Sequence, residues 1–203
     1  MVTTFNQGVA VKFAHTSIAA VLALAFSGAA FAQAGSVQRD ANQQQRIEQG
    51  LQSGSLNTRE AARLEREETK VENDQARAMR DGKLSPAEKA RLAREQNNVS
   101  RDIYREKHDA QTGNPNSASS QRMQADVQRN INQQTRIEQG TQSGSLTTRE
   151  TAKLEAGQAR DTRAEARAGA GGNVSATEQR RIQKKENRQS ARIKREKHDA
   201  QTK

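Results

Sequence analysis

The chain repeats itself, and this constrains its fold more than any other feature. Gln-Gln-Gln-Arg-Ile-Glu-Gln-Gly at 43–50 returns as Gln-Gln-Thr-Arg-Ile-Glu-Gln-Gly at 133–140. Gln-Ser-Gly-Ser-Leu at 52–56 returns at 142–146, and Lys-His-Asp-Ala-Gln-Thr at 107–112 returns at 197–202. Arg46 and Arg136, Glu60 and Glu150, and His108 and His198 are each 90 positions apart. About half of the aligned positions match without a gap, the mark of a duplicated structural unit. Between the copies lies Gly-Asn-Pro-Asn-Ser-Ala-Ser-Ser at 113–120, a composition that reads as a flexible linker. The expected organisation is helical repeat 1 at 37–112, the linker at 113–120, and helical repeat 2 at 121–203.

A shorter element recurs within each copy. At 56–60, 84–88, 146–150 and 174–178 an apolar residue is followed by Asn, Ser or Thr and, three positions later, by Glu. This is the capping box: the short polar side chain accepts from the N3 amide while the glutamate reaches back to the N-cap amide. Pro86 fits the first helical position, and Gly54, Gly82, Gly144 and Gly172 fit helix C-caps. Each copy is therefore predicted to hold three helices, at 37–52, 58–80 and 86–111 in the first. Their apolar stripes are Val37, Ile47 and Leu51, then Ala61, Leu64, Val71 and Ala78, then Leu92, Val99 and Ile103. Short joints favour antiparallel neighbours, so the fold class is all-α: two tandem three-helix modules. Copy two is expected to be the less stable, because Val99 becomes Gln189 and Leu84 becomes Val174.

Residues 1–32 read as a signal peptide. Lys12 and His15 give a weakly basic start, Ile18 to Phe26 is a short apolar run, and Ala30-Phe31-Ala32 supplies a small-x-small cleavage pattern. Nine apolar residues are too few to span a bilayer, so a periplasmic or secreted product without a membrane span is expected. Composition bears on the core. All four phenylalanines fall within this leader, leaving Tyr104 as the one aromatic beyond it, and there is no cysteine. Disulfides, thiolate metal sites and cysteine nucleophiles are excluded, and the core must be built from aliphatic side chains.

Three groups of residues carry potential chemistry. The joints match the second half of an EF-hand loop, with Asp81, Gly82 and Glu88 at its positions 5, 6 and 12. Arg77 and Met79 occupy positions 1 and 3, where carboxylates would be needed, so a capped turn is the preferred reading. His108 with Asp109, and His198 with Asp199, offer metal donors if the two copies bring them together. Without that meeting, each histidine complements a helix C-terminus. The last helix is strongly basic: Arg180, Arg181, Lys184, Lys185, Arg188, Arg192, Lys194 and Arg195 are candidates for binding a polyanion, against a solvated face as the simpler reading.

No phosphate loop, Gly-x-Ser-x-Gly or His-Glu-x-x-His occurs, and the carboxylates read as solvated helix-surface groups. No catalytic residue and no cofactor is expected. Export argues against nucleic acid as partner and for anionic envelope components or unfolded proteins, and a homodimer would add burial.

The ordered motifs Gln-Gln-x-Arg-Ile-Glu-Gln-Gly, Ser-Gly-x-Leu-x-x-x-Glu, Asp-Gly-x-Leu-x-x-x-Glu and Lys-His-Asp resemble a group of small exported proteobacterial proteins of unknown function. The resemblance covers nearly the whole chain after the leader and implies export and helices. Leu146-Thr147-Thr148-Arg149-Glu150 is loosely similar to the Leu-Thr-x-x-Gln motif of periplasmic stress chaperones of the Spy and CpxP type, with Glu in place of Gln. That likeness implies a chaperone-like, stress-response role. The alternative is metal-ion binding or sensing through the EF-hand-like joints or the His-Asp pairs.

Overall fold

A computed structural model describes residues 28–199, with side chains from Gln33 onward. The leader's basic start and apolar run lie outside the described residues. Within the described residues the chain forms six helices and no strand: α1 (Gly28–Ser53), α2 (Thr58–Ala78), α3 (Pro86–Lys107), α4 (Ala118–Gln142), α5 (Thr148–Gly169) and α6 (Ala176–His198). The first helix begins earlier than its apolar stripe suggests, running through Ala30-Phe31-Ala32. The third stops at Lys107 rather than at 111. There the Asp109 carboxylate accepts from the Gln111 amide at 2.8 Å, and such local bonding competes with helix.

All four capping boxes form. Asn57, Ser85, Thr147 and Ser175 accept from the amides of Glu60, Glu88, Glu150 and Glu178, and each glutamate accepts from its cap's own amide. Gly54, Gly82, Gly144 and Gly172 adopt φ of 75°, 88°, 69° and 80°, the left-handed region that side-chain-bearing residues avoid. The joints turn where the sequence places them.

The copies, however, are not separate modules. α2 packs most extensively on α5 and α1 on α4, across the repeat boundary, while α3 lies against α1 and α2 and α6 against α4 and α5. Ile47, Leu51, Leu64, Val99 and Ile103 of copy one share a single cluster with Met123, Val127, Ile131 and Ile182 of copy two. The 113–120 segment is fastened rather than free: Gly113 donates to the Gly54 carbonyl at 2.7 Å, and Ser117 caps α4. The reason is the shortage of apolar side chains. A single copy lacks the surface to close its own core, so the two close one together.

The pairing is two-fold symmetric. Thr162 donates to the Glu72 carboxyl at 3.2 Å, and these two occupy equivalent positions in the repeat, so the pseudo-two-fold axis passes between them. Around it the core is polar. Glu65, Glu68, Glu72, Glu155 and Glu165 are almost wholly buried, with Asp40, Asp126, Glu186, Gln44 and Gln134. Gln44 donates to Glu65 at 3.0 Å and its repeat equivalent Gln134 donates to Glu155 at 3.3 Å, while Asn130 donates to both oxygens of Glu165. The expectation of solvated carboxylates therefore fails for α2 and α5, where the second copy covers them.

Candidate anion-binding groove and carboxylate clusters

α5 and α6 line an open groove of about 680 Å³. Gly157, Ala164, Ala168 and Ile182 give it a small, apolar lining. Above that lining stand Arg160, Arg163 and Arg167 from α5 and Arg181, Lys185, Arg188 and Arg192 from α6, with Asp161 and Glu178 as the acidic members. Glu178 is engaged in its capping box, whose hydrogen bonds hold its carboxyl below the usual range. Asp161 is pushed up to about 6 by burial, against the pull of Lys185, Arg160 and Arg192. None of the seven basic side chains takes part in an ion pair with a carboxylate among the described residues.

The equivalent surface of copy one is different. Its corresponding cavity, lined by Asp74, Arg77, Ala78, Glu88, Arg91 and Leu92, holds about 160 Å³. Arg77 and Arg91 both pair with Asp74, and Arg91 also with Glu95 at 3.0 Å. In copy two Asp74 is replaced by Ala164, Glu67 by Gly157, Glu95 by Lys185 and Asp102 by Arg192. Four acidic positions have become two neutral and two basic ones, which opens the groove and leaves its guanidinium groups without a close ion pair.

Of the basic residues expected from sequence, the groove gathers Arg181, Lys185, Arg188 and Arg192, while Arg180, Lys184, Lys194 and Arg195 are not part of its lining. Arg180 instead donates back to the Ala176 carbonyl and to Thr177. The three α5 arginines were missed. Their i, i+3, i+7 spacing puts them on one helix face, which was the available signal.

The metal candidates are placed as follows. Asp81 accepts from the Lys83 amide, and Glu88 from the amide and hydroxyl of Ser85. His108 stacks on the Tyr104 ring at 4.1 Å, with its Nδ1 2.7 Å from the Tyr104 carbonyl oxygen. The two Lys-His-Asp elements do not meet. Asp109 joins Glu60 and Glu106, and Asp199 joins Glu150 and Glu196; in each trio one carboxylate oxygen per residue lies within 4.8 Å of the others. Neither histidine belongs to a trio among the described residues.

No helix of the described residues is long and apolar enough to cross a membrane. No protein-family model, curated protein or solved structure matches the chain.

Proposed function

We propose that this is an exported, non-catalytic binding protein whose α5–α6 groove takes a polyanionic component of the cell envelope with some apolar character, such as a phosphorylated lipid headgroup. The carrying observation is the contrast between the copies: one ancestral surface is filled by internal ion pairs on copy one and is open and cationic on copy two. Seven cations, six of them exposed and Arg192 half-buried, around an apolar lining suit clustered phosphates by Coulomb attraction and counterion release, with guanidinium forks matching phosphate oxygens. The chain's net charge of +10 adds long-range attraction. A chaperone-like hold on unfolded clients draws less support, because Tyr104 is the one large hydrophobic side chain exposed among the described residues.

Calorimetric titration with inorganic tripolyphosphate and with phosphatidylglycerol vesicles tests the reading. Lys185→Glu combined with Arg192→Asp restores the copy-one residues at an exposed and a half-buried site. Affinity is expected to fall at least about tenfold, and the salt dependence to flatten. Equal binding by this variant and the parent would refute the groove as the site.

A further inference from the structure

We infer that the protein carries two equivalent sites for a hard divalent cation of the Ca²⁺ or Mn²⁺ type, built from Glu60, Glu106 and Asp109 in copy one and from Glu150, Glu196 and Asp199 in copy two.

Each site forms where the first turn of the second helix of a repeat meets the end of the third. Glu60 is the N3 residue of α2, Glu106 lies in the last turn of α3, and Asp109 follows that helix's C-cap. The carboxylate oxygens of each trio lie within 4.8 Å of one another. Oxygens so spaced are close enough for one ion to draw them together at Ca²⁺–oxygen distances of ~2.4 Å after a small side-chain adjustment. The donors are all carboxylates, which suit Ca²⁺, Mn²⁺ and Mg²⁺ and give no preference to soft metals.

Proximity of acids alone would not carry this. The second observation is a buried oxygen with nothing to bind. Glu60 is 6% exposed and Glu150 2% exposed. One oxygen of each serves the capping box, accepting from the amides of Asn57 and Thr147 at 2.9 and 2.7 Å. The other, Oε1, is buried in both copies without a hydrogen-bond partner. A buried glutamate with one oxygen unpartnered, in a trio with two further carboxylates, is costly unless a cation or a proton joins it. The arrangement occurs twice, at positions related by the repeat, although the surrounding α3 and α6 have diverged in charge.

The two sites are not identical. In copy one the Arg63 guanidinium pairs with Glu106 and offsets one of three negative charges. Lys153 stands at the equivalent position in copy two and makes no ion pair with Glu196.

Electron paramagnetic resonance of free Mn²⁺ in the presence of the full chain reads stoichiometry directly, since the six-line aqueous signal is lost on binding. Calorimetry with Ca²⁺ serves as the second readout. Two equivalents are expected for the parent, one for Glu60→Gln, one for Glu150→Gln, and none for the double variant. Gln still completes a capping box, so helicity by circular dichroism should be unchanged. Asp109→Asn combined with Asp199→Asn, at exposed positions, should likewise abolish binding of both equivalents. An undiminished free signal at millimolar Mn²⁺ together with flat Ca²⁺ calorimetry overturns the inference. Equal stoichiometry in the parent and both double variants overturns it too, by assigning the ions to other surface acids.

Discussion

At the scale of single residues, the buried glutamates set the protein's response to pH. Glu72 accepts from Thr162 and from Gln134, while its second oxygen is buried without a partner. Burial raises its carboxyl well above the usual range, and the neighbouring Glu155 and Glu68 add to the effect. Glu65 is pushed up to about 8 and Asp40 to about 7, again chiefly by burial. Such groups stay protonated in the fold at pH values where the unfolded chain has released the proton. Below about pH 4 both states hold it and the full stability is present. As pH rises towards 7–8 each proton held in excess by the fold costs ~1.4 kcal/mol per pH unit, until the folded carboxyl ionises. Urea midpoints are therefore expected to fall between pH 5 and pH 8. Glu72→Gln, which keeps the shape without the ionisation, should raise stability at pH 8 by about 1–3 kcal/mol and change little near pH 4. A midpoint that climbs with pH would contradict this. None of it was read from the sequence, because Glu65, Glu68 and Glu72 look like any charged helix face until a second helix covers them. The overlooked signal was their 3- and 4-residue spacing, which places them beside Leu64 and Val71, together with the return of Glu65 as Glu155.

At the scale of helices, the caps that begin the helices at the joints were legible and the packing between copies was not. Capping boxes and left-handed glycines are local, so their chemistry is complete within a few positions. The α2–α5 contact is set instead by small residues whose meaning depends on the partner. A Cβ on Gly169 would lie 2.7 Å from the Ala62 Cβ and 3.2 Å from the Thr58 carbonyl oxygen. The end of α5 thus touches the start of α2, and only glycine allows that approach. Seen alone, the Gly-Ala-Gly-Gly run at 169–172 reads as a weakened copy of Met79-Arg80-Asp81-Gly82. In the fold its first glycine is a packing surface. Gly169→Val is expected to cost about 1–3 kcal/mol by forcing the helices apart, measured by urea unfolding. Gly171, with nothing within 4 Å of its Cβ position, is the matched control: Gly171→Ala should leave the midpoint nearly unchanged.

At the scale of the whole molecule, the axis between Glu72 and Thr162 makes the chain a fused pair of like units. What a homodimer would bury, the duplication buries within one chain. The pseudo-symmetric contact to Ala62 with Gly169 is Ala152 with Met79, and the latter two share a buried cluster. An alanine–methionine contact therefore already fits at one end of the α2–α5 pair. A chain of residues 33–113 alone has the pieces to rebuild both ends with Met79, by pairing α2 with α2 of a second copy. Its monomer would expose Leu64, Val71 and the buried glutamates, and it has too little apolar surface to fold by itself. Helicity of this fragment is therefore expected to rise with concentration and to track dimer formation in sedimentation equilibrium. The axis would then bring Glu72 against its own copy instead of against Thr162. Two carboxyls at that distance are tolerated only when at least one is protonated, so the fragment dimer should be markedly stronger at pH 5 than at pH 8. A fragment that is helical and monomeric at low micromolar concentration would show that one copy closes its own core, and the shared-core account of the fold would fall with it.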